Sequence, residues 1–262
     1  MKRLLLTGVL LGAAGFFLAA AQSVSVKEKD LHNEGRAHLT AGLSYKPVKG
    51  LSLSLHEQFR LKDNFTAIDR LNTDVEVGYK VCPYFRLGAS YRFMAVCKQD
   101  DEEVAATWNF RHRAAFHVAG LYTVGRWHLS LREKFQSTWR DESVTNLLER
   151  PIPALYLRTR FKVEYHCFSH PLQPYLSVEC YSPLNQTDYL RQAEQTSSYR
   201  HWAFDQLDTR LGLEWRLDAH NFLDFYYRLD ASRRVDVGAN SGKIRITPVL
   251  DHIAGVAYCY RF

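Results

Sequence analysis

The sequence predicts an all-β protein, a transmembrane antiparallel up-and-down β-barrel of about twelve strands, with ten strands as the alternative. Three observations predict this class. Apolar and polar residues alternate with a period of two along most of the chain, which is typical of strands that have two different faces. Many alternating segments are nine residues or longer, as a tilted strand needs to cross a bilayer, whereas strands of soluble proteins average about 5–6 residues. Beyond the N-terminal apolar stretch, no apolar run is long enough for a transmembrane helix.

The N-terminus has the order of a secretory signal peptide. Lys2 and Arg3 precede an apolar run over residues 4–18, and the small residues 19–21 follow it. Because spanning a bilayer normally takes about 20 apolar residues, we predict that residues 1–21 are cleaved. Residues 22–262 then form a single barrel domain, since no Pro/Gly/Ser-rich linker divides them. Cleavage lowers the 34 basic residues to 32 against 28 acidic ones. This net charge of +4 does not indicate a nucleic-acid partner.

Eleven segments with two-residue alternation are evident in this domain. They are residues 36–45, 51–56, 71–80, 85–93, 113–122, 127–132, 155–165, 175–180, 207–217, 223–230 and 250–262. Short turns are predicted near 46–50, 81–84, 123–126, 166–173 and 218–221. Long polar loops are predicted near 62–69, 96–108, 140–153, 182–203 and 231–246. Aromatic residues on the apolar side of the strands, next to the short turns, indicate an interfacial girdle: Tyr45, Tyr79, Phe85, Tyr122, Trp127, Tyr165 and Trp215.

The alternation of loop lengths predicts the direction of each strand. Outer-membrane barrels keep short turns on the periplasmic side and long loops outside. With Phe262 in the periplasm, residues 46–50 also fall there, and the segment 36–45 begins outside. This arrangement demands one more strand that starts in the periplasm. Residues 22–31, which include Val24 and Val26, are the candidate for this twelfth strand.

The polar side of the strands is densely charged, as an aqueous lumen allows. One interpretation is a small porin-like channel, in which excess Arg attracts anionic solutes. The other is a structural network of ion pairs that props the barrel and partly fills it. The residues predicted to line the lumen and to contact a solute are Arg60, Arg86, Arg92, Arg113, Arg132, Arg158, Arg160, Arg210, Arg216, Arg228, Glu76, Glu164 and Glu214.

Other classes of function remain open alternatives. An outer-membrane lipid-modifying hydrolase or acyltransferase would need Ser, His and an acid within hydrogen-bond reach. Ser54 with His56, and His128 with Ser130, share a face at a spacing of roughly 7 Å, which is too long for a direct bond. We therefore predict no enzyme activity and assign no catalytic residue. A structural or adhesive surface barrel and a soluble periplasmic barrel are further alternatives, and the loop over residues 183–201 could serve adhesion or plug the lumen.

Several smaller features favour structural explanations. Glu57 and Glu133 fall on the apolar side, so each either lies at the membrane rim or is turned inward by a β-bulge. The acidic run at residues 100–103 lacks the spaced ligands of a calcium loop, and we predict no metal and no cofactor. An odd set of cysteines without metal spacing indicates isolated thiols: Cys82, Cys97, Cys167, Cys180 and Cys259.

The end of the chain and several strand motifs resemble known barrels. The alternating terminal strand with a final Phe262 resembles the signal read by the barrel assembly machinery. Residues 51–59 (LSLSLHEQF) and 127–135 (WHLSLREKF), with the segments 42–47, 87–93 and 212–215, resemble a family of bacterial outer-membrane barrels, domain of unknown function 2490. The resemblance covers about residues 36–262. It implies a barrel in the bacterial outer membrane, surrounded by lipids and lipopolysaccharide, and carries no activity; a monomer is the favoured state.

Overall fold

The computed structural model describes residues 25–98, 107–167, 171–201 and 203–262. The predicted signal peptide, residues 1–21, and the acidic run at 100–103 lie outside the described residues. The strands are β1 (Val26–Glu28), β2 (His32–Tyr45), β3 (Leu51–Lys62), β4 (Ala67–Cys82), β5 (Phe85–Lys98), β6 (Thr107–Val124), β7 (Trp127–Arg140), β8 (Ala154–Tyr165), β9 (Leu172–Pro183), β10 (Gln206–Arg216), β11 (Asn221–Val237) and β12 (Ile244–Arg261). A 3-10 turn (Glu142–Val144) follows β7, and helix α1 (Asp188–Thr196) lies between β9 and β10.

The twelve strands of the described residues belong to one sheet, which closes on itself. Neighbouring strands from β2 to β12 pair in antiparallel order. The barrel closes through a parallel ladder between β12 and β2, from Val249 opposite His32 to Arg261 opposite Ser44. The predicted barrel and the count of twelve strands are therefore confirmed, and the alternative of ten strands is wrong.

The first strand differs from its prediction. Residues 22–31 were expected to cross the membrane from the periplasm, but β1 has three residues and runs parallel to the start of β12, with Val26 opposite Ile244. Eleven strands, β2 to β12, form the closed wall. Because an odd number of alternating strands brings the first and last into the same direction, a parallel ladder closes the wall without an extra crossing strand.

The predicted alternation between short turns and long loops is found at most positions. One end of the barrel carries the short connections 46–50, 83–84, 125–126, 166–171 and 217–220, and we name it the short-turn end. The other, the long-loop end, carries 141–153 and 184–205. Two loops predicted to be long are short, namely 63–66 and 238–243. The loop 238–243 is short because β11 and β12 stay paired up to Val237 and Ile244. Strand pairing there continues beyond the apolar band into charged sequence.

The barrel places apolar side chains outside and polar side chains inside. Leu39, Leu131 and Leu211 are 52%, 51% and 61% exposed, whereas Asn72 and Thr138 are 0% and 1% exposed. This inverted distribution is typical of barrels whose outer face meets lipid and whose interior is polar. Among the described residues, no helix is both long enough and apolar enough to cross a membrane.

A small apolar core covers part of the long-loop end. Leu190 and Ala193 of α1 pack with Tyr199, Ile244 and Ile246, all of which are nearly completely buried. The helix begins at the cap residue Thr187, whose hydroxyl accepts a hydrogen bond from the Leu190 N–H at 3.2 Å, a usual N-cap arrangement. The loop considered for adhesion or as a plug, residues 183–201, thus packs onto the rim of the barrel.

The two outward glutamates do not lie in bulges. The register through Glu57 and Glu133 is continuous, and the irregularity in β3 falls later, between Arg60 and Leu61. The interpretation that a bulge turns these residues inward is therefore wrong. Each carboxylate instead accepts a hydrogen bond on the outer face, at 2.9 Å from the hydroxyls of Thr73 and Thr159 respectively. All five cysteines are free thiols in the structure.

Candidate functional site

The interior of the barrel, which we call the lumen, contains a charged central cavity. Its volume is about 570 Å³, and the described residues of its walls include twelve Arg and Lys side chains against seven Asp and Glu side chains. These residues occupy alternate positions on the wall strands, because successive side chains of a strand point to opposite faces. The polar side read from the sequence is thus the lining of the cavity.

Nine of the thirteen residues predicted to line the lumen surround this cavity: Arg60, Arg92, Arg113, Arg132, Arg158, Arg160, Arg210, Arg228 and Glu76. Arg216 and Glu214 line a separate cavity of about 410 Å³ at the short-turn end, together with Arg261. The remaining two border neither cavity. Arg86 is exposed near the short turns, and Glu164 forms an ion pair with Lys162 at 2.6 Å.

Two ion-pair clusters occupy the central cavity. Arg228 pairs with Asp208 at 2.9 Å and with Asp230 at 2.5 Å. Glu179 is shared by two guanidinium groups, at 2.8 Å from Arg132 and 2.9 Å from Arg158. Each cluster joins different strands, so it holds the wall together from the inside. This arrangement matches the salt-bridged lumen that the sequence suggested.

A third cluster, at the closing seam, was absent from the residues predicted to contact a solute. Arg36 of β2 pairs with Asp251 of β12 at 3.1 Å, with Glu34 at 2.9 Å and with Asp69 of β4 at 3.7 Å. Asp69 also pairs with Arg70 at 2.8 Å. The alternation of residues around Arg36 and Asp251 could have marked both as inward, but only the pairing of β2 with β12 brings them together.

Five cavity arginines lack a carboxylate within 4 Å among the residues that the structure describes: Arg60, Arg113, Arg160, Arg210 and Arg234. Three of them have neutral partners. Arg60 donates to Gln58 at 2.7 Å and Arg113 donates to Thr138 at 3.1 Å. The Arg210 guanidinium lies 4.3 Å from the centre of the Tyr226 ring, within the range of a cation–π contact. These arginines therefore form no direct ion pair with a carboxylate of the described residues.

Rings lie directly across inward-facing glycines on neighbouring strands. A Cβ atom at Gly212 would come within 2.3 Å of the Tyr175 ring, and one at Gly255 within 2.0 Å of the Tyr226 ring. The missing side chain lets each ring lie flat against the wall, where it covers the glycine backbone. The Tyr175 hydroxyl in turn donates to Asp224 at 2.9 Å. The glycines thereby set the positions of the lumen tyrosines.

A second basic cavity, which we call the vestibule, lies between the central cavity and the long-loop end. This vestibule has a volume of about 370 Å³ and shares Arg70, Arg113 and Arg234 with the lining of the central cavity. Loop contacts shape its rim. The Asn146 side chain donates to the Val237 carbonyl at 2.5 Å, and the Thr187 hydroxyl donates to the Leu148 carbonyl at 2.6 Å. The shared arginines make the vestibule and the central cavity neighbouring parts of one basic lumen.

The Ser/His pairs considered for catalysis make other contacts. The His128 ring lies 3.2 Å from the Thr123 hydroxyl and 3.8 Å, centre to centre, from the His166 ring. The His56 ring lies against Gly42. Within the described parts of the chain, no hydrogen bond joins Ser54 to His56, and no group of three His, Cys, Asp or Glu residues is placed to hold a metal ion. The lumen charges are therefore the candidate site.

Three solved structures are similar to this chain. A NanC porin has a TM-score of 0.44 and 13% identity, over 80% of this chain and 92% of that chain. OmpT of Vibrio cholerae, expressed in the outer membrane, has a TM-score of 0.35 and 9% identity over 76% and 60%. An anion-selective porin from Comamonas acidovorans has a TM-score of 0.32 and 12% identity over 79% and 53%.

Sequence comparison gives a family for the chain. No curated protein matches the sequence. The family described as "Protein of unknown function (DUF2490)" matches residues 35–236, which include most of the wall strands. The predicted family resemblance is therefore confirmed, and the chain belongs to this family of proteins of unknown function.

Proposed function

We propose that this protein is a small porin-like channel of the bacterial outer membrane, with a basic, salt-bridged lumen that favours anions. One observation carries the proposal: the central cavity has twelve basic side chains against seven acidic ones. Three of the arginines, Arg60, Arg113 and Arg160, have no carboxylate within 4 Å among the described residues. A fixed excess of positive charge inside a low-dielectric wall raises the local concentration of anions.

The ion pairs and the arginines without an ion pair have separate roles in this proposal. Clusters such as Asp208–Arg228–Asp230 join neighbouring strands and keep the wall rigid. Arg60, Arg113 and Arg160 supply the field that a passing anion meets. In this proposal an anion passes from the vestibule into the central cavity, two cavities that share Arg70, Arg113 and Arg234. It then leaves through the separate short-turn cavity, where Arg216 and Arg261 flank Phe222. Basic side chains therefore line each part of the route.

The apolar outer surface supports the proposed placement in the outer membrane. The short-turn end faces the periplasm and the long-loop end faces outward, as in other outer-membrane barrels. Phe262 is 64% exposed at the short-turn end and its ring lies 6.2 Å from that of Tyr45, where the barrel assembly machinery would bind it. Outer-membrane lipids and lipopolysaccharide surround the apolar band, and the channel acts as a monomer.

Planar-bilayer recording tests the channel. Purified protein in a KCl gradient is expected to give a reversal potential that favours chloride over potassium. Arg60→Gln, Arg113→Gln and Arg160→Gln together should move the permeability ratio towards one, because they remove charge from the lumen. The matched control is Arg191→Gln, since Arg191 is 59% exposed on α1. Conductance without anion preference would contradict the proposal.

A second candidate is a closed barrel with a structural or surface role. The shared ion pairs of Arg228 and Glu179 favour it, because they fill part of the lumen with bonded side chains. The same recording separates the two candidates. A folded, membrane-inserted protein that conducts no ions would support the closed barrel.

A further inference from the structure

An apolar groove opens on the outer face of the barrel near the long-loop end. Its volume is about 970 Å³, and it lies between the segment that follows β1 and the adjacent parts of β10, β11 and β12. Leu31, Phe204 and Leu207 line it and are 58%, 56% and 43% exposed. Cavities that hold small ligands usually measure about 300–1,000 Å³. The groove is therefore large enough for a long hydrocarbon chain.

The groove forms where the wall ladder is interrupted. β1 pairs with β12 as far as Glu28 opposite Ile246, and pairing resumes with His32 opposite Val249. Three residues of the first segment therefore face only two of β12, one of which is Pro248. Because proline has no N–H to donate, it cannot complete the ladder at this position. The interruption leaves this stretch of the closing seam without ladder pairing.

The groove lies in the outer part of the apolar band. Leu207 lies eight residues along β10 from the girdle residue Trp215. At about 3.3 Å per residue and a tilt of about 45°, this separation corresponds to about 19 Å along the barrel axis. The apolar band of such barrels is about 25 Å tall. A hydrocarbon chain could thus enter the groove from the outer leaflet.

The inner side of the groove adjoins the basic vestibule. Five residues belong to the linings of both, namely His201, Asp205, Gln206, Ser232 and Arg233. The next residue of β11, Arg234, lines the vestibule and the central cavity. The vestibule carries seven arginines and two carboxylates, Glu149 and Asp205. An apolar groove and a strongly basic cavity therefore share one boundary.

We propose that the groove binds the acyl chain of a single-chain anionic amphiphile, such as a long-chain carboxylate, whose head group reaches the vestibule. The apolar lining selects the chain, and the charge of the vestibule complements the carboxylate. The proposal deepens the proposed function, on which it rests, because it names a class of anion for the lumen. An amphiphile bound in this way has its head group beside Arg234, at the entrance to the central cavity.

Photolabelling tests the site. The probe is a long-chain carboxylate with a diazirine at the end of its chain, added to the full barrel in phosphatidylcholine vesicles. Peptide mapping is expected to find the label around Leu31, Phe204 and Leu207. Ala231→Trp fills the groove and should reduce labelling there by at least fivefold. Ala114→Trp, an equivalent exposed alanine on β6, is the matched control and should label like the unmodified protein.

The head group is tested separately from the chain. Arg234→Gln should weaken labelling by the carboxylate but not by the corresponding methyl ester. Equal labelling by acid and ester in the unmodified protein would mean that the groove holds ordinary membrane lipid and would overturn the proposal. Label spread evenly over the apolar band, or crosslinks between two copies of the chain, would do so too. Because Ala231 lies outside the lumen, the Ala231→Trp protein should keep the anion preference of the unmodified channel. Lost labelling with an unchanged anion preference therefore separates a failure of this proposal from a failure of the channel.

Discussion

Replacement of Arg36 should open the closing seam of the barrel. Arg36→Gln removes the cation that joins Asp251, Glu34 and Asp69. Glu34 keeps the Asp63 N–H as a donor at 2.5 Å, and Asp69 keeps Arg70 at 2.8 Å. Asp251, by contrast, has no other ion-pair partner within 4 Å in the described part of the chain. One buried carboxylate is therefore left uncompensated.

The size of the effect follows from burial. The Arg36 and Asp251 side chains are 15% and 11% exposed, and removing one partner of a buried ion pair costs about 3–5 kcal/mol. We expect Arg36→Gln to lower the free energy of unfolding by about 3 kcal/mol, at the lower end because water reaches the cavity. Adding Asp251→Asn should restore about half, since the uncompensated charge disappears with it.

The measurement is urea unfolding of the barrel in lipid vesicles, followed by tryptophan fluorescence. Arg191→Gln is the control, because an exposed pair such as Arg191–Asp188 contributes about 0–1 kcal/mol. If Arg36→Gln costs no more than this control, or if Asp251→Asn adds to the loss instead of reducing it, the seam cluster does not hold the barrel closed.

Three other predictions use the same unfolding measurement. Gly212→Ala should cost about 1–3 kcal/mol because its Cβ would meet the Tyr175 ring; no recovery on adding Tyr175→Ala would contradict this cause. Glu57→Leu should stabilise the membrane-inserted barrel by about 1 kcal/mol, since a carboxylate on the lipid face is unfavourable. A loss of stability would show that the hydrogen bond from Thr73 to Glu57 contributes more than this cost. In the short turn 217–220, hydrogen bonds from the His220 N–H and from Asn221 lower the pKa of the Asp218 carboxyl. The resulting stability is present above the carboxyl's unfolded pKa, near about 4, and is lost as the pH falls through the lower folded pKa. Asp218→Asn should therefore be less stable than the unmodified protein at pH 7 and equal to it in strong acid; a difference independent of pH would refute the assignment.

The two-residue alternation was sufficient to predict the two faces of the wall. Leu131 and Arg132 are neighbours in sequence, and they lie on the outer face and in the lumen respectively, as the parity of β7 requires. The position of a residue along the barrel axis was less predictable. Arg86 and Arg216 share the inward parity of Arg92 and Arg210, yet they lie near the short-turn end. Parity gives the face of a residue but not its distance from the cavity.

The sequence by itself determined the class of fold, the family, the outward and inward sides of the strands and most of the basic lumen lining. Each of these depends on neighbouring residues in one strand. Only the tertiary structure decided that β2 closes on β12 in parallel, that Arg36 meets Asp251, and that a groove opens beside Pro248. The physical reason is that the two closing strands are more than 200 residues apart, and no local pattern specifies which edges of a curled sheet will share hydrogen bonds.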